Sequence, residues 1–231
     1  MTRILNVIRM QLVNRAAFVW IPVIILFGSL TMTLAVYAII ASSGIPGPYY
    51  GGGAQAPLWY FGVVGIQALA LTFPFSQAMS VTRREFFLGT ILTAMLTSAI
   101  LAAVFVVGGF LEEATAGWGM QGYFFLLPWV WEAGPAAAGL FFFALTLTFF
   151  IVGFWIATVY RRFGSLALTL LLVGLGALLV AALFVIARLN AWADVFAWFA
   201  ELGALGLGLW GLVLVVVLGG VSFLTLRRAT V

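Results

Sequence analysis

PAAAGLFFFALTLTFFIVGFWIATVYRRFGSLALTLLLVGLGALLVAALFVIAR, residues 135–188, holds two long apolar runs separated by Arg161, Arg162, Phe163 and Gly164. A helix that crosses a bilayer needs roughly 20 mostly apolar residues, and each run supplies them. The first reads as a span from Pro135 to Tyr160 and the second as a span from Ser165 to Ala187. Pro135 suits a first helical position, where its missing N–H costs nothing. Working outward by the same rule, spans are expected at Ala17 to Ala41, Leu58 to Met79, Phe86 to Leu111 and Leu202 to Leu226. The first of these ends in SSGIPGPYYGGG, where glycines and prolines forbid further helix. The expected fold is an all-α integral membrane protein of six transmembrane helices, forming a single domain over residues 1–231.

Composition agrees with a chain solvated by lipid. Hydrophobic residues make up 65% of the 231 and charged residues 7%, a ratio that would drive a soluble domain of this size to aggregate. The 9 tryptophans and other aromatics, 16% in all, often lie near the ends of apolar runs, at headgroup depth. Cys and His are absent, which removes disulfides, thiolate nucleophiles, imidazole bases and the usual zinc and haem ligand sets. The opening MTRILNVIRMQLVNR runs into a long apolar stretch with no small-residue cleavage site, so it reads as retained.

Orientation follows from the arginines, because the positive-inside bias is strongest in short loops. Arg3, Arg9, Arg15, Arg83, Arg84, Arg161, Arg162, Arg227 and Arg228 fall on one side with Glu85, a charge of +8. Arg188 falls on the other with Glu112, Glu113, Glu132, Asp194 and Glu201, a charge of −4. Both termini are therefore expected in the cytoplasm.

Residues 1–15 mix arginines and asparagines with apolar positions. Ile4, Leu5, Ile8 and Leu12 are expected on one face, opposite Arg3, Asn6 and Asn14. That pattern reads as an interfacial elbow helix on the inner leaflet, with Arg9 and Arg15 among lipid phosphates. A cytoplasmic extension of the first span is the alternative; Pro22 and the polar run around Asn14 favour a turn. On the outer side, Trp192, Val195, Phe196 and Phe199 have the spacing of a short amphipathic helix.

The segment QAMSVTRREFFLGT, Gln77 to Thr90, joins the second and third spans. Thr82 and Glu85 fit a capping box, so a helix should start there. Arg83 and Arg84 then fall in its first turn, where the helix dipole makes positive charge unfavourable by about 0.3 to 1 kcal/mol each. Topology and lipid phosphate alone account for most arginines at a membrane boundary. The functional alternative is a docking surface for an acidic cytoplasmic partner, with Phe86 and Phe87 as its apolar neighbours.

SVTRREFFLGT resembles the cytoplasmic loop of bacterial ABC transporter permeases of the type-2 export class, and the six-span layout with an elbow helix resembles those subunits over the whole chain. The resemblance implies that residues 76–90 form a coupling loop in which Thr82, Arg83, Arg84, Glu85, Phe86 and Phe87 dock a separate ABC ATP-binding subunit. It also implies a second permease subunit, identical or a paralogue. Any ATP and Mg would belong to the partner, because this chain has no Lys and hence no Walker A lysine. No cofactor is expected in the chain itself, and membrane lipids, not nucleic acid, are its other expected contacts.

No acidic residue falls near the middle of a span, where proton-coupled carriers usually place one. The mild polar residues of the spans, Thr31, Thr33, Gln67, Thr72, Thr97, Ser98, Thr146 and Thr148, are expected to hydrogen-bond between helices. Gln67 and Thr72 are the candidate pathway residues, since an amide in mid-span prefers an interface or a wet cavity. Pro74 should bend the second span just above the docking loop. No span carries a strict GxxxG pair; Ala204 and Gly208 form a weaker small-residue contact. The expected function is the permease subunit of an ATP-driven exporter, not itself an enzyme. A membrane scaffold or regulatory subunit with no pathway of its own is the alternative.

Overall fold

A computed structural model describes residues 2–13 and 16–227; Asn14, Arg15 and Arg228 lie outside the described residues. The chain is all-α apart from one two-residue strand pair, and its order is α1 (Thr2–Val13), α2 (Ile21–Ser42), β1 (Tyr49–Tyr50), α3 (Ala56–Ala70), α4 (Thr72–Ala78), α5 (Arg83–Ala114), β2 (Gly122–Tyr123), α6 (Pro128–Trp131), α7 (Pro135–Arg188) and α8 (Trp192–Leu226). Five helical stretches among the described residues are long and apolar enough to cross a membrane: Ala16–Ser42, Gly52–Ala78, Arg83–Ala114, Pro135–Arg188 and Trp192–Leu226.

Two of these stretches break at glycines in the left-handed region, which a side chain with a Cβ rarely adopts. Gly164 (φ 81°) divides α7 into 135–163 and 165–188, between the two apolar runs expected from the sequence. Gly203 (φ 56°) divides α8, leaving 192–202 as the short helix expected there. The second stretch also breaks, at Leu71 (φ −96°, ψ −39°), where α3 hands over to α4. The expected bend at Pro74 is thus set three residues earlier, because a proline disturbs the turn that precedes it.

Helices in lipid gain little from the hydrophobic effect and associate through close packing. The closest approach joins α3 to α7. A Cβ added at Gly65 would lie 2.1 Å from the Phe150 carbonyl oxygen, and one added at Gly153 would lie 1.9 Å from that of Gly62. Glycines three apart on α3 and one on α7 let two backbones touch, a contact that a search for GxxxG does not find. Further along α7, Gly208 of α8 lies against the Phe141 backbone, so the Ala204–Gly208 pair is used within the chain. Aromatic rings fill the space beside these contacts: Phe105 packs on Phe142 at 4.4 Å and edge-on to Phe125 at 5.3 Å.

The buried stripe of α5 runs from Phe86 through Gly89, Thr90, Thr93, Thr97 and Phe105 to Glu112, at helical spacing. Thr90 joins α5 to α1, but Thr97 does not join helices as expected, and Thr93 behaves like it. Thr93 donates to Gly89 O at 3.0 Å and Thr97 to Thr93 O at 2.9 Å. Thr31, Thr146 and Thr148 likewise donate to the carbonyl four residues back on their own helices. In apolar surroundings a hydroxyl takes the nearest free lone pair, and that belongs to its own helix.

Candidate functional site

Arg83 opens α5 and Glu112 lies 29 residues on, about 43 Å at 1.5 Å per residue. The bundle thus has a basic end and an acidic end. At the basic end, α4 stops in a Schellman motif: Ser80 N donates to Gln77 O at 3.0 Å and Val81 N to Ser76 O at 3.0 Å. Ser80 takes the left-handed position (φ 57°) that glycine usually fills. Two residues later Thr82 starts α5 with the expected capping box. Its backbone N–H donates to Glu85 Oε2 at 3.0 Å, and the Glu85 N–H donates to Thr82 Oγ1 at 3.2 Å. These hydrogen bonds hold the Glu85 carboxyl, in the polar turn ahead of the apolar stretch, below its ordinary pKa; Arg3 adds to the effect.

The six residues expected to form a docking surface separate into two groups. Arg83 Nη1 donates to Arg227 O at 2.7 Å and to Leu226 O at 3.3 Å. Its charge sits badly with the α5 dipole but well with the C-terminus of α8. Arg83 therefore has a reason within the chain and does not require a partner. Phe86 is fully buried against Phe73, ring centroids 5.1 Å apart. Phe87 is half-buried between Phe154 and Phe223. Both rings, expected as apolar neighbours of a docking surface, are packed within the chain, because the first turns of α5 lie against α4, α7 and α8. Thr82 and Arg84 remain exposed, beside a half-buried Glu85.

The elbow helix α1 packs on α5 with the expected face rotated toward Val7 and Gln11, so that only Leu5 departs from the expected set. Ile4, Val7, Ile8, Gln11 and Leu12 turn inward, whereas Leu5 is 51% exposed and Arg9 is exposed. The cause is Gly89, where a Cβ would lie 2.7 Å from the Val7 side chain. That notch selects Val7, and Leu5 is carried outward by the helical rotation. Gln11 is fully buried; its Nε2 donates to Thr90 Oγ1 at 2.8 Å and reaches Thr72 Oγ1 at 3.4 Å. Arg3 stands 4.0 Å from Glu85, a surface pair of small worth.

Among the described residues, neither candidate pathway residue lines the grooves of 420, 530 and 670 Å³. Thr72 donates to Ala68 O and receives Gln11, so it joins three helices. Gln67 is half-buried, with no side-chain hydrogen bond among the described residues. Pro74, having no N–H, leaves the Ala70 carbonyl without its helical donor, and Arg161 Nη2 occupies it at 3.3 Å.

Sequence reasoning counted Glu112 only as an outer charge, yet it is fully buried. One carboxylate oxygen accepts from Trp118 Nε1 (2.8 Å) and Phe124 N (2.9 Å). The other accepts from Phe124 N (3.1 Å), Phe125 N (2.8 Å) and Leu126 N (2.8 Å). Three consecutive N–H groups form an anion-binding nest for it. Above this nest β1 pairs in parallel with β2, and Tyr37 donates to Tyr123 O at 3.1 Å. The available signal was a carboxylate directly after an apolar run, followed by GWGMQGYFF, a segment rich in free N–H groups.

Among the described residues no three acidic side chains gather as a metal site. In comparisons with known proteins, no family model, curated protein or solved structure matches this chain.

Proposed function

We propose that this chain is the membrane-spanning subunit of an ATP-driven ABC exporter of the type-2 class in a bacterial plasma membrane, energised by a separate ATP-binding subunit. The observation that carries this reading is a short helix at the basic end. Between the break at Leu71 and the capping box at Thr82, α4 closes the second apolar stretch and its turn leads directly into the third, with Arg84 exposed beside it. A short helix fixed at both ends transmits a push; a slack loop does not.

Six spans with both termini cytoplasmic complete the proposal. As one rod, the 54 residues of α7 would measure about 81 Å, against a hydrocarbon core of about 30 Å. Gly164 next to Arg161 and Arg162 supports a reversal at the cytoplasmic face. The arginines that contact the α3, α5 and α8 ends, Arg161, Arg3 and Arg83, support a single basic side.

Affinity purification of the tagged chain from native membranes should bring down an ATP-binding subunit. Arg84→Glu should abolish that association with insertion intact. Purification without such a subunit, or association indifferent to Arg84→Glu, would sink the docking role and favour a scaffold.

A further inference from the structure

Among the described residues, three of the grooves in the surface measure several hundred cubic ångströms, and two of these, 420 and 530 Å³, are lined by apolar residues alone. The third, 670 Å³ at the basic end between α1 and α4, carries two guanidinium groups, those of Arg3 and Arg9. Its remaining surface is mostly apolar and open: Val13 is 79% exposed, Met79 59% and Phe75 57%. Arg3 shares its charge with Glu85 at 4.0 Å. Arg9 has no hydrogen-bond or ion-pair partner among the described residues. A positive rim over an apolar trough fits a ligand with an anionic head and a hydrocarbon tail. Free phosphate would leave the trough wet, and a neutral lipid would leave Arg9 unanswered.

We propose that this groove binds one anionic phospholipid, its phosphate between Arg3 and Arg9 and an acyl chain along Met10, Val13, Phe75 and Met79. The lipid would bridge α1 to α4, so an inner-leaflet component would set how firmly the elbow helix holds the short helix beside the capping box. This proposal rests on the membrane reading above but not on an ATPase partner.

The chain has no cysteine, so Met79→Cys carries a unique fluorophore at the groove and Leu178→Cys a reference on a lipid-exposed stretch of α7. Both labelled full-length proteins are reconstituted in phosphatidylcholine vesicles containing spin-labelled phosphatidylglycerol or spin-labelled phosphatidylcholine. At Met79 the anionic lipid should quench more strongly, by about fivefold in apparent affinity per arginine engaged. At Leu178 the two lipids should quench alike. Arg3→Gln with Arg9→Gln should remove the preference at Met79, and excess inorganic phosphate should not. Equal quenching at Met79, a preference that survives the double substitution, or displacement by phosphate would each overturn the lipid site. No quenching at Leu178 by either lipid would instead overturn the membrane reading on which it rests.

Discussion

Arg83 Nη1 lies 2.7 Å from the carbonyl oxygen of Arg227, so the first turn of α5 closes the last turn of α8 across 144 residues of chain. Helix ends carry carbonyls without intrahelical partners, and a guanidinium near them answers both the unpaired oxygens and the negative end of the dipole. Arg84, one residue on, is exposed and has no such role. Two adjacent arginines that look equivalent in sequence therefore do different work.

Arg83→Gln should loosen the end of α8. A part-exposed bond from a charged donor is worth about 1 kcal/mol, less than the usual charge-assisted hydrogen bond because solvent screens it. Hydrogen exchange of amides 222–227 should quicken while the remainder of α8 is unchanged. Arg84→Gln should alter neither exchange nor thermal midpoint in micelles; equal effects from the two would remove the distinction.

Glu112 predicts a larger effect at the opposite end. Glu112→Ala would leave the buried N–H groups of Phe124 and Phe125 and the part-buried one of Leu126 without an acceptor, a loss on the order of 3 kcal/mol. The expected result is a lower midpoint and new proteolytic cleavage between Thr115 and Leu127. Glu113→Ala, at the exposed neighbouring position, should behave as the parent.

Much of the architecture is legible from local rules, because apolar length and capping chemistry are local. Leu71 shows where that stops: the break belongs to Pro74, Gln11 and Arg161 together, contributed by three different elements. Leu5 and Val7 make the same point, for helical periodicity alone cannot choose between overlapping apolar faces, and the notch at Gly89, 82 residues beyond Val7, chooses. Phe86 and Phe87, at the start of the expected span, pack against Phe73, Phe154 and Phe223 from three other elements, which no local rule shows. Glu112 was hidden because its partners are backbone groups, which every sequence has.

The capping box at Thr82 gives a prediction with a definite pH sign. Because folding lowers the Glu85 pKa, its contribution is fully present above the ordinary glutamate value of about 4.3 and is lost as pH falls through the lower folded value. Hydrogen exchange in the first turn of α5 should thus not vary from this cause near neutral pH and should quicken only in acid. Thr82→Ala should cost about 1 kcal/mol at neutral pH. A first-turn protection that declined between pH 8 and pH 6 would contradict the assignment of that contribution to Glu85.

Packing of α3 on α7 yields the sharpest contrast between like substitutions. Gly153→Ala would place a Cβ 1.9 Å from the Gly62 carbonyl oxygen, and backbone cannot swing aside as a side chain can. The helices must separate, which undoes the contact of Gly65 with Phe150 at the same interface. Overpacking of this kind costs typically about 1 to 3 kcal/mol, and the upper end is expected here because backbone opposes it on both sides. Gly174 and Gly176, on the exposed half of α7, have nothing within 4 Å of an added Cβ. Gly174→Ala should be neutral or slightly stabilising, since alanine is the better helix former by about 1 kcal/mol. Thermal midpoints of the parent and the two variants in one detergent test this: a drop for Gly153→Ala alone is expected, and a Gly153→Ala midpoint that rises as that of Gly174→Ala does would mean that helix propensity, not backbone contact, governs the site.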